Sequence, residues 1–224
     1  MYIGLDLELN SSEIDYQTIE VPGRDGDLVV LNNRRKSFIQ EIPVIYVGEY
    51  SERYQHLDDF RQAMLSDGLF HDLSFNNEPG FIYRAAFLSA FKVNRTYNEF
   101  TQTLQFNMMP YKYLISGNNL IELHNGVQLK KEGTLDAKPL ITVVGNGDIS
   151  IAIGNSKLNL KGIDGGLIMD SETQTCTDLT GTRTQFDKMY GNFIQVLGAS
   201  KNKDVSITGD VQKVEMIPRW AVRA

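Results

Sequence analysis

Runs of alternating apolar and polar residues, each closed by Gly, Asn, Asp or Pro, recur along the chain. A period of two with frequent turns admits little besides β-hairpins. In Tyr16 to Val21, the side chains of Gln17, Ile19 and Val21 share one face and those of Tyr16, Thr18 and Glu20 the other. Pro22-Gly23 and Asp25-Gly26 follow, and Asp-Gly tolerates the positive φ angles of a tight turn. Leu28 to Leu31 resumes the strand. Phe38 to Val47 alternates again, with Phe38, Gln40, Ile42, Val44 and Tyr46 on one face, and Pro43 suits an edge or a bulge because it lacks an N–H. Two further hairpins are expected, Phe70 to Phe75 with Phe81 to Leu88, and Lys92 to Tyr97 with Phe100 to Met108.

One stretch breaks the pattern. Tyr54, Leu57, Phe60 and Met64 recur at helical spacing, which predicts a helix over Ser51 to Ser66 with Ser51 as N-cap and Gly68 just past its end. This stripe is read as core packing against a sheet. After Pro110-Tyr111-Lys112-Tyr113 the aromatics thin out. Short strands are expected at Leu140 to Val144, Ile149 to Ile153, Leu158 to Leu160, Leu167 to Met169, Phe193 to Leu197, Val205 to Thr208 and Val211 to Ile217, with Gly145-Asn146-Gly147-Asp148 as a turn. Many short strands of this kind suggest a β-sandwich. The fold class is therefore mainly β with one helix, divided into domains at 1–115 and 116–224.

Composition narrows the function. A formal charge of −6 and a pI near 5.1 argue against a basic face that grips nucleic acid. The one dense basic run, Arg34-Arg35-Lys36, follows Asn32-Asn33, a turn signal, and is read as a solvated hairpin end rather than a phosphate clamp. Nothing in the sequence approaches ~20 uninterrupted apolar residues, so neither a membrane span nor secretion through a signal peptide is expected.

Searches for chemistry end without a site. His56, His71 and His124 lack metal-ligand spacing, and Cys176, the single cysteine, is read as a small buried hydrophobe. Gly23-Arg24-Asp25-Gly26-Asp27 lacks the further acids and closing Glu of a calcium loop. Gly145-Asn146-Gly147 precedes no P-loop lysine. Asp58 and Asp59 point ~100° apart on a helix, which rules out a facing pair of glycosidase carboxylates. No catalytic residue, metal or cofactor is expected.

The segment Ile19-Glu20-Val21-Pro22-Gly23-Arg24-Asp25-Gly26-Asp27-Leu28 resembles the signature near the start of siphophage distal tail proteins. The resemblance continues through the helix, Leu73-Ser74-Phe75, Pro79-Gly80 with Tyr83, and Met109-Pro110-Tyr111-Lys112. It is looser at Leu140 to Gly145, Ile168 to Glu172, Gly191-Asn192-Phe193 and Gly198.

That family implies a homohexameric ring, with residues 1–115 as the belt around a channel and residues 116–224 as a galectin-like β-sandwich. The ring would connect the tail tube to the tail tip or baseplate and let DNA pass. Its implied partners are the tail tube, tape measure, tail-associated and receptor-binding proteins, and its implied place is the virion tail tip, after assembly in the host cytoplasm. Gly23, Arg24, Asp25, Gly26 and Asp27 become the candidate assembly loop, although turn chemistry alone also accounts for Pro, Gly and Asp there. The alternative from another class is a glycan-binding adhesin using the second domain, which calls for an exposed aromatic beside polar groups. There is one Trp, Trp220. His124-Asn125-Gly126 does not continue to the arginine of the galectin sugar motif.

Overall fold

A computed structural model describes residues 2–3, 7–46, 52–64, 67–88, 94–95, 100–198 and 202–224. The chain divides into two units, one comprising Met1–Asn77, Ile82–Lys112 and Ala224, the other Glu78–Phe81 and Tyr113–Arg223. The described residues are mainly β, as expected.

In the first unit the chain forms β1 (Tyr2–Ile3), β2 (Ile14–Ile19), β3 (Leu28–Arg35), β4 (Phe38–Tyr46), α1 (Arg53–Met64), β5 (His71–Leu73), β6 (Phe81–Phe87), β7 (Asn94–Arg95) and β8 (Phe100–Leu114). One antiparallel sheet runs in the order β1-β4-β8-β6-β5, with β7 also on β8. The alternation read from Phe38 sets its inner face. Gln40, Ile42 and Val44 are buried while Ile39 and Glu41 are exposed, because successive side chains on a strand point to opposite faces. Leu104 and Met108 of β8 join Ile42, Val44, Phe75, Tyr83, Ala85 and Phe87 in the core, against which Phe60 and Met64 of α1 pack. The Phe75 and Tyr83 rings meet edge to face at 5.4 Å. The helical stripe is thus core packing at its C-terminal end, whereas Tyr54 is exposed. Ser51 lies outside the described residues. Pro43 stands opposite Thr103 with no register shift, at the end of the β1 pairing, which stops at Val44.

The second unit contains β9 (Ile121–Glu122), β10 (Gln128–Lys130), β11 (Leu140–Ile153), β12 (Ser156–Ile163), β13 (Gly166–Asp170), β14 (Thr175–Asp178), β15 (Met189–Gly191), β16 (Asn202–Ile217) and β17 (Ala221–Arg223). The sheet order is β10-β16-β11-β12-β15, and β11 also carries β13, which pairs with β14. Ile141, Val143, Ile149, Ile151 and Ile153 of β11, Leu158 and Leu160 of β12, Leu167 and Met169 of β13 and Val214 and Met216 of β16 all enter one core with Trp220.

Three expectations are corrected here. Gly145 to Asp148 is no terminating turn. β11 runs through it with shifted register against both β12 and β16, as bulges do. Likewise β16 is one strand where two were expected. The physical reason is a reciprocal close approach: a Cβ on Gly145 would lie 2.4 Å from Asp210 O, and one on Gly209 would lie 2.3 Å from Asp148 O. Two glycines let the paired strands bend together instead of ending. Phe193 to Leu197 is not a strand. Its one ladder contact is an isolated bridge from Val196 to Ala137, yet Ile194 and Val196 are buried, so its apolar pattern reflects core contact rather than pairing.

The second unit also holds its end through an ion pair. The Arg219 guanidinium donates to both carboxylate oxygens of Asp170, at 2.6 and 2.9 Å, and lies 3.3 Å from Glu172. Burial pushes the Asp170 carboxyl up, but the Arg219 hydrogen bond and the backbone N–H groups of Thr173 and Glu172 outweigh it and hold the carboxyl below its ordinary value. A depressed carboxylate contributes stability above its unfolded pKa of ~3.9 and loses it as pH falls through the folded value. Asp170→Asn is expected to cost about 1.5–3 kcal/mol at pH 7 and less at pH 2, toward which the carboxylate's contribution falls. Thermal melts at the two pH values check this, and an equal loss at both would contradict it.

Candidate assembly site

β2 and β3 pair only with each other among the described residues, as a separate two-stranded sheet. Ile19 stands opposite Leu28 and Tyr16 opposite Leu31. Every residue from 16 to 34 is exposed. Val29 and Leu31 fall on one face and Leu28 and Val30 on the other, and all four are 40–56% exposed. Neither face of this arm is therefore covered by the described residues. An isolated hairpin is marginal in water, and a contiguous exposed apolar surface ordinarily marks an interaction site.

The five loop residues form the tip of the arm. Gly23 and Gly26 take φ of 81° and 78°, the region glycine occupies without strain. The Arg24 N–H donates to Val21 O at 3.1 Å, closing a turn. Arg24, Asp25 and Asp27 are all exposed, and among the described residues no ion pair joins Arg24 to either acid. Among the described residues nothing beyond the chain neighbours lies within 4 Å of a Cβ built on either glycine, so both positions are uncrowded.

The base of the arm is the opposite. Asp15 is buried and takes Arg34 Nε at 2.5 Å and Lys36 Nζ at 3.7 Å. The Arg34 hydrogen bond holds its carboxyl below the usual range. Arg35 donates to Ser12 O at 2.9 Å, the Ser12 hydroxyl donates to Pro110 O at 3.2 Å, and Ser12 N–H donates to Ala224 O at 3.4 Å. The Ala224 N–H in turn donates to Pro110 O. This corrects the reading of the basic run. Asn32-Asn33 is no turn but part of β3, with Asn33 at φ 53° beside a register shift, and Arg34, Arg35 and Lys36 tie down the arm instead of ending it. Sequence reasoning missed Ser12, Asp15 and Ala224. No local signal marks them, since Ser12 and Ala224 are 212 positions apart.

The residues considered for chemistry stay apart. His56, His71 and His124 each approach a different carboxylate, Glu52, Asp67 and Glu122. No cluster of three or more His, Cys, Asp or Glu that could hold a metal occurs among the described residues. Cys176 is fully buried and its thiol lies 3.5 Å from Gln185 O. Burial, with Asp187 nearby, pushes the thiol pKa up to about 11. Since the thiolate is the reactive form, the native protein is expected to resist iodoacetamide at pH 8 and to be alkylated once unfolded in urea. Mass spectrometry showing rapid native alkylation would contradict this burial. Trp220, at 1% exposure, is a core residue and not a sugar platform.

No family model matches the sequence, and no curated protein matches it. Among solved structures, the chain is similar to the Dit protein of phage SPP1, described as a paradigm of the hub adsorption apparatus in phages infecting Gram-positive bacteria. The TM-score is 0.72 at 14% identity, over 92% of this chain and 88% of that one. It is also similar to a chain of the phage p2 baseplate in its activated conformation with strontium, with a TM-score of 0.50 at 11% identity, over 92% and 86%. Over nearly its whole length, therefore, the chain has the fold of the SPP1 Dit hub protein.

Proposed function

We propose that this protein is a distal tail protein of a long-tailed phage, a structural hub subunit rather than an enzyme. The observation that carries the reading is the likeness to SPP1 Dit over 92% of the chain. The likeness to a phage baseplate chain supports it. Residues 1–115 form the belt of a homohexameric ring and residues 116–224 a galectin-like domain. The ring joins the tail tube to the tail tip or baseplate, contacts the tape measure, tail-associated and receptor-binding proteins, and lets DNA pass without holding it. Assembly takes place in the host cytoplasm, and the finished subunit resides at the virion tail tip.

The arm supports assembly in particular. Its two apolar faces and open strand edges need cover, and closure of a ring of identical copies supplies it without leaving free ends. The candidate loop, Gly23 to Asp27, reaches the neighbouring copy, where Arg24, Asp25 and Asp27 find partners of opposite charge. The pairing of Arg34 and Lys36 with the Asp15 carboxylate offsets part of the positive charge that would otherwise attract a polyanion.

Light scattering across a concentration series tests the ring. The mass is expected to rise from one 25.3 kDa chain to six. A single-chain mass at every concentration, together with absence from tail tips in antibody-labelled virions, would sink the proposal.

A further inference from the structure

The second unit carries a cleft of about 630 Å³, within the ~300–1,000 Å³ range of small-ligand sites. Asn155, Gln174, Asn192 and Gln195 line it. None of these four side-chain amides has a hydrogen-bond partner among the described residues. Each offers both donors and an acceptor. On its described wall there is no carboxylate and Lys157 is the one cation, a lining that suits neither a polyanion nor a metal ion. Phe193 adds an apolar wall. It is half-buried and braced by Phe186, whose ring stands nearly perpendicular at 6.3 Å.

An uncharged ligand that donates and accepts many hydrogen bonds and also presents an apolar C–H face matches this surface. We propose that the cleft binds a neutral saccharide, held by the amides of Asn155, Gln174, Asn192 and Gln195 with one sugar face against Phe193. A peptide is the poorer fit. It would be recognised by adding a strand, and β15, at the end of the sheet order beside the cleft, is three residues long. The proposal does not rest on the ring, because the cleft lies wholly within one unit of one chain.

Saturation-transfer difference NMR on the full chain tests it, with maltotriose, cellotriose and triacetylchitotriose as separate probes and a neutral Gly-Ser heptapeptide as a fourth. Transfer to at least one trisaccharide is expected, weakened at least ten-fold in the Asn192→Ala/Gln195→Ala variant and unchanged in Gln128→Ala, which lies outside the cleft. Gln174→Gly is the second variant. Gln174 has φ 55°, a backbone glycine keeps without strain, so this change removes the amide and spares the fold, and it too is expected to weaken transfer. No transfer to any trisaccharide, equal transfer in the amide variants, or transfer to the heptapeptide alone would overturn the proposal.

Discussion

Chains carrying Val29→Asp and Leu31→Asp are expected to fold normally and to stop assembling. Both side chains lie on one face of the arm and are 56% and 55% exposed, so the single chain loses little. Substitutions at such positions usually shift stability by within ~0.5 kcal/mol. In the proposed ring the same face is covered. Two buried apolar contacts at a subunit interface, each replaced by an unpaired charge, cost about 2 kcal/mol or more apiece, which weakens each subunit contact by roughly a thousand-fold. Sedimentation velocity reads the loss of the six-chain species, and a thermal melt reads the chain's own stability. Wild-type assembly in this variant would show that this face is not the interface. The matched pair Leu28→Asp and Val30→Asp then reports on the opposite face.

The second large effect is expected from Trp220→Ala. Trp220 sits at 1% exposure among Leu123, Leu129, Ile153 and other members of the second core. Its backbone carbonyl accepts the Leu114 N–H at 2.9 Å within the same unit, a bond that alanine keeps, so the variant reads the side chain's packing. Truncating a buried Trp to Ala costs about 3–5 kcal/mol, the lost transfer energy plus the cavity left behind. Against a typical domain stability of ~5–15 kcal/mol, that is a large share. Urea unfolding followed by circular dichroism measures it, since the variant lacks the protein's one tryptophan. A change below ~1 kcal/mol would mean that the side chain does not pack the core as described.

Much of the fold was legible locally. The alternation in Phe38 to Tyr46 put Ile42 and Val44 on one face, because period two is a property of any strand, and the structure buries that face. Phe60 and Met64 reached the core because helical spacing puts them on one stripe. Pro22-Gly23 and Asp25-Gly26 marked the tip, since positive φ is cheap for glycine. The candidate loop was thereby located, but its surroundings were not. Nothing in Leu28 to Leu31 distinguishes a strand buried in a sheet from one standing free, because both read as an apolar run bounded by turns.

What the sequence by itself determined is therefore the set of local elements: strands, one helix, and a glycine-bearing hairpin tip, each governed by backbone geometry and side-chain period within a few residues. What only the tertiary structure decided is which of them join and which remain uncovered. Gly145 read as a turn residue, and Gly209 lay between two expected strands, until the approach of Asp210 O and Asp148 O made them the bend of two long paired strands. Arg34, Arg35 and Lys36 read as a hairpin end until Asp15 and Ser12 came within reach. The four amides of the cleft come from three stretches of chain, around Asn155, Gln174 and Asn192 to Gln195, that no sequence period relates. Those outcomes depend on contacts between residues far apart in the chain, which carry no local signal because they are set by which surfaces the folded chain buries.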